Sequence, residues 1–88
     1  GIAVDWLQDA ANAGDPAAQR QLGLMYFDGV GTLQNYVRAH TWLNLAAALG
    51  NANAAGDRSR LEEKMNGVEL QDARDRAEAW WETNQGRR

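Results

Sequence analysis

A chain that repeats itself at a fixed interval must build units that stack on one another, and this one repeats after 36 residues. Residues 3–18 laid over residues 39–54 give seven identities in sixteen positions: Ala3/Ala39, Trp6/Trp42, Leu7/Leu43, Ala10/Ala46, Ala11/Ala47, Gly14/Gly50 and Ala18/Ala54. Most fall at i, i+3, i+4, i+7 and i+8 of a helical period and run into a glycine. That pattern describes one packing face followed by a helix stop.

The rest of the chain reads as further helices. The first is expected over about 3–13, ending at Gly14. Asp15-Pro16 opens a second, with an N-cap oxygen followed by a proline whose missing N–H costs nothing at the first helical position. It carries Leu22, Met25 and Tyr26 to about Asp28. A third covers about 37–49 and stops at Gly50, and Asn51 caps a fourth over about 52–65, which turns Leu61 and Met65 inward. Asn66 and Glu69 have capping-box spacing and open a fifth, with Leu70, Ala73, Ala77, Trp80 and Trp81 inward. Short connections predict antiparallel packing of sequential helices. The third helix is apolar on most sides, with Ala39, Trp42, Leu43, Ala46 and Ala47 extended by Leu45 and Leu49, so it belongs in the middle. The fifth is crowded with Asp72, Arg74, Asp75, Arg76, Glu78 and Glu82, the polar outer face that the end of an array needs. Asp72/Arg76 and Arg74/Glu78 are spaced four apart for mutual support.

Composition removes several functions. Eighty-eight residues make one domain at most, and with no cysteine the chain has no disulfide framework, thiolate site or thiol nucleophile. That absence selects no compartment. No run approaches a membrane span, and no basic-then-apolar leader opens the chain; a start at Gly1 rather than methionine suggests processing or trimming. The net charge is −3, with the acidic bias in residues 1–57, and no basic stripe is present to offset nucleic-acid phosphates. Arg87-Arg88 reads as a solvated tail. His40, the one histidine, reads as a helix-surface residue, and a histidine-rich metal site is out of reach. Ser59, the one serine, lies on another helix without a nucleophile elbow. Glu62/Glu63 and Asp72/Asp75 sit among charges without an apolar pocket to perturb them, which reads as solvated surface. Asp28-Gly29-Val30-Gly31 lacks the lysine and hydroxyl, or the third glycine, of nucleotide loops and the alternating oxygens of a calcium loop, so its glycines read as turn geometry. The expectation is no enzyme, no cofactor and no metal.

Three stretches together resemble the Sel1-like repeat family, whose helix-loop-helix units are related to tetratricopeptide repeats. They are Ala10 to Tyr26, with its alanine pair, glycine, Leu-Gly and tyrosine; the Gly-x-Gly loop of Asp28 to Gly31; and Tyr36 to Gly50, with its Ala-x-x-Trp-x-x-x-Ala-Ala helix. The likeness runs from residue 3 to about 55; Thr32 and Leu33 stand where the family usually has Val and Pro. It implies an all-α fold of antiparallel helix-loop-helix repeats forming a short right-handed solenoid. Residues 1–14 would be the second helix of a preceding repeat, 15–50 a complete repeat, and 51–88 a modified C-terminal repeat with a capping helix. It also implies a protein-interaction scaffold or adaptor with a protein or peptide partner; many bacterial members are exported. The alternatives are a structural fragment of a longer solenoid and, third, a small enzyme or enzyme-accessory domain.

In solenoids the first helices of successive units line the inner curved face. Arg20, Gln21 and Leu24, off the Leu22/Tyr26 packing line, are therefore candidate partner contacts. Tyr36, in the loop before the third helix, either reaches a partner or staples onto Trp42 or Leu33. Trp80 and Trp81 differ by about 100 degrees around a helix, so one seals the array. The other, Trp81, either joins that intramolecular cap or stays partly exposed to contact an absent unit or a second copy of the chain.

Overall fold

The computed structural model describes residues 2–85, and the expected Arg87-Arg88 tail lies outside them. Among the described residues there are five helices and no strand: α1 (Ile2–Asn12), α2 (Pro16–Asp28), α3 (Tyr36–Ala48), α4 (Ala52–Glu62) and α5 (Gly67–Gln85). Packed helical hairpins make the fold a helical solenoid.

The 36-residue repeat is reproduced in the hydrogen bonds. At the end of α1 the N–H groups of Gly14 and Asp15 donate to the carbonyls of Ala11 and Ala10; at the end of α3 those of Gly50 and Asn51 donate to Ala47 and Ala46. This double closure needs a left-handed residue just past the helix, and Gly14 (φ 96°) and Gly50 (φ 102°) supply it. The next residue then caps the following helix. Asp15 Oδ1 accepts from the N–H of Ala17 at 3.0 Å, and Asn51 Oδ1 accepts from Ala54 at 3.1 Å. The reciprocal capping box at α5 forms as the spacing implied, with Asn66 and Glu69 each accepting the other's backbone N–H.

Two boundaries differ from the sequence reading. α4 ends at Glu62 because tight turn bonds, Lys64 N–H to Leu61 and Met65 N–H to Glu62, break its ladder. α3 begins one residue early because Asn35, extended at φ −153°, caps it through Arg38 N–H, which puts Tyr36 in the helix instead of the loop. Between α2 and α3, Gly29 (φ 71°) and Gly31 (φ 79°) turn the chain in backbone space that an L side chain rarely takes. Asn35 N–H to Tyr26 O (2.9 Å) and Gln34 Nε2–H to Phe27 O (2.9 Å) then close the loop.

α3 is the centre, packed on α2, α4 and α5. Its Ala39, Leu43, Leu45 and Ala46 are wholly buried, as its broad apolar surface required. α1 lies on α2, where Gln19, fully buried, donates from Nε2 to the end-of-helix carbonyl of Ala11. The expected antiparallel succession fails at its last step. α5 makes little contact with α4 and instead crosses α3, where the small Ala73 and Ala77 allow close approach and Thr41 Oγ1 lies 3.4 Å from the carbonyl of Ala73. Its far half reaches α1, with Trp80 Nε1 3.4 Å from Asn12 Oδ1. This turn back makes the array compact: the radius of gyration is 11.9 Å, close to the roughly 12 Å of a globular chain of this length.

Trp42 carries that arrangement, 8% exposed and edge-on to Trp80 with centroids 6.4 Å apart. Trp42→Ala should cost roughly 3–5 kcal/mol. Urea denaturation followed by circular dichroism checks this; a loss below about 1 kcal/mol would remove Trp42 from the core.

Candidate interaction surfaces

Helices α2 and α4 meet along a charged seam. Asp57 lies on the same helical stripe as the buried Ala54 and Leu61, and its carboxylate is nearly closed off from solvent. A carboxylate so placed needs charged partners. It accepts from Arg20 Nε at 2.7 Å through one oxygen and from Arg60 Nη2 through the other. Arg60 keeps most of its side chain in solvent. Beside this cluster is a cleft of about 290 Å³ lined by Arg20, Leu24, Phe27, Asp28, Asp57 and Arg60. Arg20 and Leu24, two of the three α2 candidates, thus share one cleft, while Gln21 is exposed on the same helix and outside its lining. Asp57 and Arg60 were missed by the sequence reading. The available signal was an acid on α4's apolar stripe, at the spacing 54, 57, 61.

A second polar seam joins α3 and α4. His40 is buried, not on the helix surface as expected, because α4 covers the His40/Asn44 side of α3. Its Nε2 lies 2.7 Å from Glu62 Oε2, and Arg58 Nη1 donates to Asn44 Oδ1 at 2.7 Å. Glu62 is therefore half-buried and engaged, not free surface, while Glu63 is exposed. Ser59 sits on α4's outer side and donates to its own helix, at Ala55 O. On α5, Asp72 and Arg76 form the expected ion pair at 3.1 Å.

The aromatic candidates each pack on another ring. Tyr36 is half-buried and edge-on to Phe27, with centroids 5.9 Å apart, in place of Trp42 or Leu33. The closed loop returns the chain beside the last turn of α2, and Leu33 is left outside, 88% exposed. Trp80 and Trp81 pack together at the end of the array. Both are half-buried, edge-on to each other at 5.2 Å, with Trp80 bridging to Trp42.

The repeat breaks down most visibly at Trp6. It matches Trp42 in sequence and lies at the same position of the helical period, yet it is 74% exposed. Leu7 and Ala10 are only half-buried, whereas their counterparts Leu43 and Ala46 are wholly buried. The cause is the neighbourhood: α3 has helices on several sides, and α1 has α2 with a touch of α5. Among the described residues no group of three or more His, Asp or Glu side chains is placed to hold a metal ion, and no helix is long and apolar enough to cross a membrane.

The Sel1 repeat profile matches residues 1–15 and again 16–51. No curated protein matches the chain. Among solved structures the chain is similar to the crystal structure of c5321, a protective antigen present in uropathogenic Escherichia coli strains that displays an SLR fold. The two share 32% identity at a TM-score of 0.86, over 90% of this chain and 17% of that one, so the chain spans well under two thirds of that protein's length. The fold is a repeat scaffold, of a type generally used for protein–protein interaction and not for catalysis. With repeat matches over more than half its length and the paired caps of two successive units, the chain belongs to the Sel1 repeat family.

Proposed function

We propose that the chain is a protein-interaction module that holds a peptide or a segment of another protein along the α2/α4 face. The observation that carries this reading is the cleft beside Asp57. Leu24 and Phe27 offer apolar surface there, and Arg60 leaves most of its side chain in solvent. Apolar side chains next to a partly free guanidinium suit a segment that presents an apolar residue and a hydrogen-bond acceptor together. Gln21, exposed on the same helix, extends the surface by one turn. Tyr36 and Trp81 are assigned lesser parts, since each already packs on an aromatic neighbour.

A second reading is that these residues are a stretch of a longer solenoid. It draws on the uncovered side of α1 and on the small share of the E. coli structure that the chain covers. The two readings are compatible, because inner-face binding surfaces grow with the number of units.

Selection of a displayed random peptide library on the immobilised chain tests the first reading. Peptides that bind saturably should lose at least about tenfold in affinity to Leu24→Glu, the loss of about 1.4 kcal/mol, while keeping affinity for Trp6→Ala. Peptides indifferent to Leu24→Glu, or no saturable binder at all, would contradict it.

A further inference from the structure

Where α5 crosses α3 and reaches α1, the three helices leave a small cavity between them. It holds about 160 Å³ and is lined by Gln8 of α1, Arg38, Thr41 and Trp42 of α3, and Arg76 of α5. At the roughly 30 Å³ that one water takes up, this is room for a group of about five non-hydrogen atoms. None of the lining residues belongs to the cleft beside Asp57.

The cavity is chemically one-sided. Arg38, Arg76 and Gln8 line it and no carboxylate does, although the chain as a whole carries a net charge of −3. Arg38 rests on neutral contacts: its guanidinium lies 5.8 Å from the centre of the Tyr26 ring, and its Nη1 lies 3.4 Å from the Tyr26 hydroxyl. Among the described residues no acid is within ion-pair distance of it. Arg76 is paired with Asp72 through Nε at 3.1 Å, which leaves its terminal Nη groups to donate elsewhere. Thr41 donates its proton to the Val37 carbonyl at 2.8 Å, so the long polar donors facing the cavity are those of Arg38, Arg76 and Gln8. Asp5 and Asp9, the acids nearest Gln8 in the chain, are exposed and outside the lining. Like charges that face one small space repel, and an anion between them turns that repulsion into attraction.

We infer that this cavity binds a single oxyanionic group, a carboxylate or a phosphate, held by Arg38 and Arg76 with the Gln8 amide as a third donor. A guanidinium presents paired N–H donors in a fixed fork, and both kinds of group answer it with paired oxygens. The three donors come from three helices, so no helix pair of the array makes the site alone. It exists because α5 leaves α4 and lies across α3, which puts Arg76 on the same cavity as Arg38. The site is independent of the α2/α4 surface, because the two share no residue and use different helices around α3.

The test titrates the isotope-labelled chain with inorganic phosphate and, separately, with acetate, at constant pH and ionic strength, and follows the tryptophan indole N–H signals by nuclear magnetic resonance. The Trp42 signal, assigned from its loss in Trp42→Phe, should shift saturably, while that of the exposed Trp6 stays in place. Arg38→Gln and Arg76→Gln should each weaken the binding by at least about tenfold, whereas Arg74→Gln should change it by less than about twofold. Arg74 is exposed on the same helix as Arg76 and outside the lining, so its loss removes the same charge without touching the cavity. All three variants change exposed side chains, and unchanged helical circular dichroism checks that each is folded. Saturation by both probes supports the shared oxyanion site; saturation by phosphate alone assigns it to a phosphate group, and by acetate alone to a carboxylate. Shifts that grow linearly with either probe overturn the site. So does a saturable response that Arg38→Gln leaves intact, or one that Arg74→Gln weakens as much as Arg76→Gln, which would report the general charge of the surface.

Discussion

The close contact of α2 with α3 at Gly23 is the constraint on which the rest of the structure depends. With no side chain at Gly23, Leu43 and the backbone at Ala39 press against α2, and the tight approach lets one layer of leucines and alanines fill the interior. Four leucines, Leu22, Leu43, Leu45 and Leu61, are fully buried, each contributing about 1.5–3 kcal/mol. Alanines supply much of the remaining core, and alanine contributes only where helices are close. Widening the α2–α3 gap would therefore weaken contacts along the length of α3, including those that seat α4 and α5.

Because α3 is saturated with neighbours, the two ends of the array behave differently. At the C-terminal end, α5 turns back across α3 and brings Trp80 onto Trp42, which closes that side with aromatic contact. At the N-terminal end the matching tryptophan remains in solvent. The α2/α4 face is left accessible by both arrangements, and the Arg20–Asp57–Arg60 cluster holds the two helices together beneath the proposed binding cleft.

Helix limits were largely legible in the sequence because they depend on local chemistry. Asp15, Asn51 and the Asn66/Glu69 pair cap their own helices, and Gly14 and Gly50 adopt the backbone conformation that few other residues accept. Features that depend on a distant neighbour were not legible. His40 is buried because α4 lies over it, and α5 abandons α4 because its Ala73/Ala77 face fits α3; neither fact is local to the residues concerned. Trp6 looked like Trp42 because the two segments share a pattern, but burial is conferred by the surrounding helices and not by the pattern. Of the candidate site, the α2 half was readable from the helical face. The α4 half required recognising that Asp57, an acid on an apolar stripe, needed partners from elsewhere.

The most direct measurement of the central claim is the stability of Gly23→Ala by chemical denaturation, set in a double-mutant cycle with Leu43→Ala. An ordinary glycine inside a helix gains about 1 kcal/mol when replaced by alanine. Here the added Cβ meets Leu43 and the Ala39 carbonyl, so the substitution should instead destabilise by roughly 1–3 kcal/mol. Leu43→Ala should relieve part of that loss, so that the double variant is more stable than the sum of the single effects implies. A Gly23→Ala chain more stable than the parent would contradict the claim that this contact sets the fold.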